Sequence, residues 1–168
     1  MYWDAKDFPF IKLFEEHWQT ILDEFKALPK RTFLPYPDQR FYAHGWTVYG
    51  LYAHPYPGYS GWFLKTLLWW NRRRCPKTVA LLQNVPHCGL AAFSVLAPGA
   101  KMFPHRHEDP EHICHLGLMI PEVCGIEVDG EKRRWQEGKA FAFHEGAEHC
   151  AWNESDEERV IFLFDFIP

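Results

Sequence analysis

Nineteen residues, FPHRHEDPEHICHLGLMIP (Phe103–Pro121), hold four histidines, three acids and a cysteine. Imidazole is the commonest metal-ligating side chain. His105 and His107 are two apart, so in an extended strand both side chains leave the same face. His149 follows in FHEGAEHCAWN, on a second strand that an antiparallel fold can lay beside the first. Two ligand sets fit this spacing. His105, His107 and His149 make a three-imidazole face. His107, Asp109 and His149 make the two-histidine, one-carboxylate face of a mononuclear non-haem iron site with open positions. The competing assignment is a loop of exposed histidines that holds no ion.

The rest of the chain must position these groups. FPFIKLFEEHWQTILDEFKALPK reads as one amphipathic helix: Phe10, Phe14, Trp18, Ile21, Phe25 and Leu28 recur at helical spacing, with acids opposite. Asp7 is placed to cap it and Pro29 to stop it, and its apolar face predicts that it covers a sheet. Phe33 to Gly61 is rich in Pro, Gly and Tyr, with one strand, WTVYGLYAH. SGWFLKTLLWWNRRRCPKT predicts a helix ending near Asn71, with arginines favoured in the last turn by the helix dipole. Then come short strand-like runs: VALLQNV, LAAFSVLA, HICHLGLMI, CGIEVDG, KRRWQEG, KAFAFHEG, HCAWN and ERVIFLFDFI. Asp129-Gly130 marks a hairpin turn. The pattern predicts one mainly β domain: a helical and irregular part over 1–72, packed on an antiparallel barrel or jelly roll over 75–168.

Composition narrows the classes. A chain of 168 residues at 47% hydrophobic is long enough for one core. A net charge of −4 argues against a nucleic-acid backbone as the main partner. No apolar run reaches membrane-spanning length, and MYWDAKDFPF lacks the apolar core of a secretory leader. Five scattered cysteines without a CxxC pair read as reduced thiols, hence a cytoplasmic protein. Cys114 and Cys150 flank the histidine motifs and read as small buried hydrophobes. His112 and His144 read as loop or rim residues. Eight tryptophans indicate an aromatic core, with the stretch Tyr36 to Trp70 available to wall a pocket.

In order along the chain stand FSVLAPG…PH, HLGLMIP, W-x-EGK and EH-x-x-WN-x-S-x-x-x-RV. This combination resembles the aspartyl/asparaginyl β-hydroxylase family of Fe(II)- and 2-oxoglutarate-dependent oxygenases, from about Cys75 onward and more loosely over the N-terminal helix. The resemblance implies a double-stranded β-helix, jelly-roll and cupin-like, and a hydroxylase that consumes O2 and 2-oxoglutarate. It implies His105 and His149 as iron ligands. It also implies Arg159 as the clamp for the far carboxylate of 2-oxoglutarate, Ser94 as its hydroxyl partner, and His115 as a donor to the metal-binding end. Trp135 looks structural.

Two departures stand out. The family has glycine where this chain has His107, which makes His107 a candidate third ligand beside the Asp109 alternative. Members acting on peptidyl aspartate carry arginines just before the HLGL histidine, where this chain has Glu111 and Ile113. That argues against a peptidyl Asp/Asn substrate and for a small-molecule, amino-acid-like or lipid one. Two rivals from other classes are a three-histidine cupin-type dioxygenase without 2-oxoglutarate and a non-enzymatic metal- or ligand-binding barrel. The aromatic-then-basic FLKTLLWWNRRR is compatible with a membrane surface, but the expectation is a core-packed helix with a solvated basic end.

Overall fold

The computed structural model describes residues 2–54, 61–107 and 111–168. Four helices are α1 (Pro9–Glu16), α2 (Trp18–Lys26), α3 (Gly61–Arg74) and α4 (Pro76–Leu82). Eleven strands are β1 (Tyr2–Asp4), β2 (Leu34–Pro35), β3 (Trp46–Tyr52), β4 (Ala91–Leu96), β5 (Lys101–His105), β6 (His112–Met119), β7 (Cys124–Val128), β8 (Glu131–Arg133), β9 (Ala140–His144), β10 (His149–Asn153) and β11 (Arg159–Phe166). They form a seven-stranded sheet, β1-β9-β6-β11-β4-β3-β2, and a four-stranded sheet, β5-β10-β7-β8. From β4 onward the chain passes back and forth between the two sheets, and every sheet pairing is antiparallel. This is a double-stranded β-helix, as expected.

Strand alternation lets the large sheet serve two cores. On β11, Val160, Phe162, Phe164 and Phe166 face the helices, with Phe14 of α1 beside them. Ile161 and Leu163 face the small sheet, where Ile126, Val128 and Ala151 meet them. Arg159, at the head of the same strand, shares that inner face. The β7–β8 hairpin turns at Asp129 (φ 47°) and Gly130 (φ 80°), the left-handed pair the sequence predicts. Gly117 has a different duty. A Cβ there would stand 2.3 Å from the carbonyl of Gln136, so only glycine lets the Trp135–Lys139 segment cross β6.

Four expectations need correction. The N-terminal helix is two helices, broken at His17, and Asp7 does not cap it: its carboxylate accepts from the Asp4 N–H at 2.8 Å, and Pro9 opens α1. The basic helix continues through Arg74 rather than ending near Asn71. VALLQNV is not a strand. Its first half lies in α4, whose N-terminus is capped by Glu24 of α2, accepting from the N–H groups of Lys77 and Thr78 at 2.9 Å each. Finally, the N-terminal part does not only sit on the sheet, because β1, β2 and β3 are strands within it.

Phe162 is fully buried between Phe14 and Phe93. Phe162→Ala is expected to cost about 3–5 kcal/mol, read as a lower urea midpoint with an unchanged slope. A loss below about 1 kcal/mol would contradict this packing.

Candidate metal centre and its cavity

β5 and β10 pair so that His105 stands directly opposite His149, with ring centroids 4.2 Å apart. His107 follows β5, its N–H donating to the Glu145 carbonyl at 3.2 Å. That turn brings its ring 5.4 Å from His105 and 5.9 Å from His149. One nitrogen from each of the three rings lies within 4.8 Å of the others. Two backbone carbonyls fix the tautomers. Nδ1–H of His105 donates to Phe103 at 2.7 Å, and Nδ1–H of His149 donates to Ala147 at 2.8 Å. Each ring therefore presents a bare Nε2. Burial holds His105 below the usual imidazole range and pushes His149 down to about 3. Both are neutral at pH 7, the state a metal requires. Phe41 stacks on His105 at 4.4 Å and Phe143 packs on His149 at 5.2 Å, so neither ring is free to swing. Three convergent imidazoles, of which His105 and His149 are neutral and oriented, fit a first-row divalent metal with open positions.

The triad faces a cavity of about 900 Å³ between the sheets, with α3 as one wall. Across it stands Arg159, only 1% exposed. Among the described residues its hydrogen bond is a long one, Nη1–H to the Ser94 carbonyl at 3.5 Å, and Nε–H has no partner there. The guanidinium rests 4.8 Å over the Trp135 ring. Among the described residues it pairs with no carboxylate; Asp156 and Glu157, close in sequence, do not reach it. Burial lowers its pKa to about 10, which still leaves it charged at neutral pH. Ser94 Oγ accepts from Trp46 Nε1–H at 3.0 Å, leaving the hydroxyl hydrogen to donate elsewhere. Trp135 Nε1–H donates to His115 Nδ1 at 3.4 Å, so the neutral His115 ring carries its proton on Nε2 and is a donor there. Burial and the Arg159 charge hold His115 well below its ordinary pKa.

Comparison with known proteins decides the lineage. The family profile described as aspartyl/asparaginyl beta-hydroxylase matches residues 15–168. The chain belongs to that family. Among its relatives, the ornithine lipid ester-linked acyl 2-hydroxylase of Rhizobium tropici is 40% identical over 101 residues, covering 58% of this chain and 36% of that protein. Human aspartate beta-hydroxylase domain-containing protein 2 is 32% identical over 176 residues, covering 92% and 43%. Human aspartyl/asparaginyl beta-hydroxylase is 29% identical over 168 residues, covering 92% and 20%. The chain thus spans less than half the length of these relatives.

In this family member the residues singled out by sequence, Ser94, His105, His107, His115, His149 and Arg159, all line the one cavity. Asp109 lies outside the described residues. Several readings change. Trp135 is more than a core tryptophan, since it touches both Arg159 and His115. His112 is a half-buried strand residue packed on Trp3, not a loop residue. Cys114 is the buried core residue expected, on the helix side and facing away from the cavity, whereas Cys150 is only half-buried and does not line it. Phe41 and Trp46, from the aromatic stretch Tyr36 to Trp70 expected to wall a pocket, line the cavity, and sequence reasoning missed the His54–Asp165 pair. His54 Nε2 meets Asp165 at 2.8 Å, and Asp165 also accepts from the N–H groups of Gly89 and Leu90.

Removing either strand histidine, His105→Ala or His149→Ala, is expected to abolish stoichiometric binding of a first-row divalent metal, read by anaerobic titration with Fe(II) as the probe. His107→Gly, the family residue, is expected to retain the ion but weaken it at least about tenfold. Identical affinities for wild type, His107→Gly and His107→Ala would make His107 a bystander.

Proposed function

We propose that the protein is an Fe(II)- and 2-oxoglutarate-dependent hydroxylase acting on an unactivated C–H of an acyl chain. The observation that carries this reading is Arg159, a buried cation with no carboxylate partner among the described residues, on the wall of the cavity that holds the histidine triad. Such a charge costs several kcal/mol to bury and suits an anionic ligand. A planar donor fork matches a carboxylate. Arg159 grips the far carboxylate of 2-oxoglutarate, and the free hydroxyl hydrogen of Ser94 supplements it. The Nε2–H of His115 donates to the end nearer the triad. His105, His149 and His107 would hold the iron, whose chemistry is the activation of O2 at the expense of the keto acid.

The walls support an apolar substrate. Ile113, Leu163, Leu64, Leu67 and Leu68 line the cavity, and apolar walls exclude water from the reacting carbon. The acyl 2-hydroxylase named among the relatives supports the same class. Glu111 and Ile113, standing where peptidyl-aspartate hydroxylases are expected to carry arginines, argue against an acidic peptide.

Arg159→Met separates this reading from a three-histidine oxygenase without cosubstrate. The variant is expected to keep the metal stoichiometry while its requirement for 2-oxoglutarate rises by about 30-fold or more, as loss of a buried charged pair implies. Because the substitution also removes an uncompensated charge, the ligand-free variant should be at least as stable as wild type in urea. O2 consumption independent of 2-oxoglutarate in both proteins would overturn the proposal.

A further inference from the structure

Helix α3 is apolar on both sides. Leu64, Leu67, Leu68 and Asn71 fall on one face and line the cavity. Trp62, Trp69 and Trp70 fall on the opposite face and are 78%, 47% and 52% exposed. A cluster of exposed tryptophans on one face of a helix marks a surface that meets something else. The charge around it is one-sided. Gly61–Arg74 contains Lys65, Arg72, Arg73 and Arg74 and no acid. Those four positive charges sit in a chain of net −4, so the rest of the chain stands at −8. Arg72 turns inward, donating to the Leu51 carbonyl at 3.2 Å. Arg73 stays on the outer face, 4.8 Å over the Trp69 ring, and Arg74 and Lys65 are exposed.

We infer that the outer face of α3 docks on an anionic lipid surface. Indole rings prefer the headgroup level of a bilayer, where an apolar body and one N–H donor are both satisfied. Basic side chains beside them add attraction to anionic headgroups. An acidic protein would be repelled by such a surface at most orientations, so the single basic, aromatic helix also sets which face approaches. No described helix is long and apolar enough to cross a membrane, and lying on the surface does not require one. The helix that touches lipid on its outer face walls the cavity with its inner face. The core-packed helix expected from sequence is thus half right: α3 packs on the core through leucines and keeps its tryptophans outside. Its use for an acyl substrate rests on the proposed function, but the docking itself does not.

The test is sedimentation of the metal-loaded protein with vesicles of phosphatidylcholine mixed with phosphatidylglycerol, and with vesicles of phosphatidylcholine alone. Wild type should pellet with the mixed vesicles, far less with the neutral ones, and be released as salt rises. Lys65→Gln with Arg73→Gln should weaken binding by about 25-fold, roughly fivefold per basic residue near the surface. Trp62→Ser with Trp70→Ser should abolish it. These exposed positions lie outside the cavity, so both double variants should keep the wild-type urea midpoint, which verifies their folding without reference to the iron site. No binding by wild type, equal binding by the tryptophan variant, or a dimer that dissociates when Trp62 and Trp70 are replaced would each overturn the inference.

Discussion

A guanidinium sealed from water, with no counter-charge among the described residues, is the constraint around which this molecule is arranged. Burial in apolar surroundings disfavours any ion, and a protein ordinarily answers with a carboxylate. Around Arg159 the structure answers only in part. The Trp135 ring lies beneath the charge and the Ser94 carbonyl stands at the edge of hydrogen-bonding range. Neither neutralises it. Backbone architecture holds the group in place all the same. Asn153, fully buried, donates to the carbonyls of Leu96, Ala97 and Glu157, tying the end of β10 to the end of β4 and to the turn that leads into β11. One amide thereby fixes the strand carrying His149 relative to the strand that begins at Arg159. Gly117 does a similar service by letting the following segment cross β6 and set Trp135 against both Arg159 and His115.

The double-stranded β-helix suits such a site because each strand has two faces with separate duties. The helix side of β11 is a run of aromatic and β-branched residues packed on α1 and its neighbours. The cavity side carries Arg159, Ile161, Leu163 and Asp165 in succession. Charge at both ends and leucine or isoleucine between them divide the cavity into a polar region near the triad, an apolar stretch, and a second polar region where Asp165 meets His54. Rigid sheet geometry, rather than loops, sets these spacings.

Much of this was legible in the sequence, and the failures have physical causes. Strand periodicity and turn chemistry located the inner strands and the Asp129-Gly130 hairpin. The two-residue spacing of His105 and His107 placed both imidazoles on one face, and the structure brings their rings together with that of His149. Arg159, Ser94 and His115 were visible only through family resemblance, since isolated arginine, serine and histidine residues on strands have no local signature. α4 was misread because its cap comes from Glu24, more than fifty residues earlier in the chain. Phe41 was legible only as one of the aromatics between Tyr36 and Trp70; its contact with His105 was not, because it is made from a single 3-10 turn at Gln39–Phe41. The orientation of α3 was hidden by composition: with leucine on one face and tryptophan on the other, apolar periodicity does not say which face is inside.

The central claim is that the uncompensated charge of Arg159 exists to receive the far carboxylate of a dicarboxylic keto acid. Equilibrium titration of the Fe(II)-loaded wild type, without oxygen, against 2-oxoglutarate and against 2-oxobutanoate isolates that contact, because the second compound keeps the keto-acid end and lacks the far carboxylate. The account predicts that 2-oxobutanoate binds about 30-fold or more weakly than 2-oxoglutarate. Equal affinity for the two would contradict it.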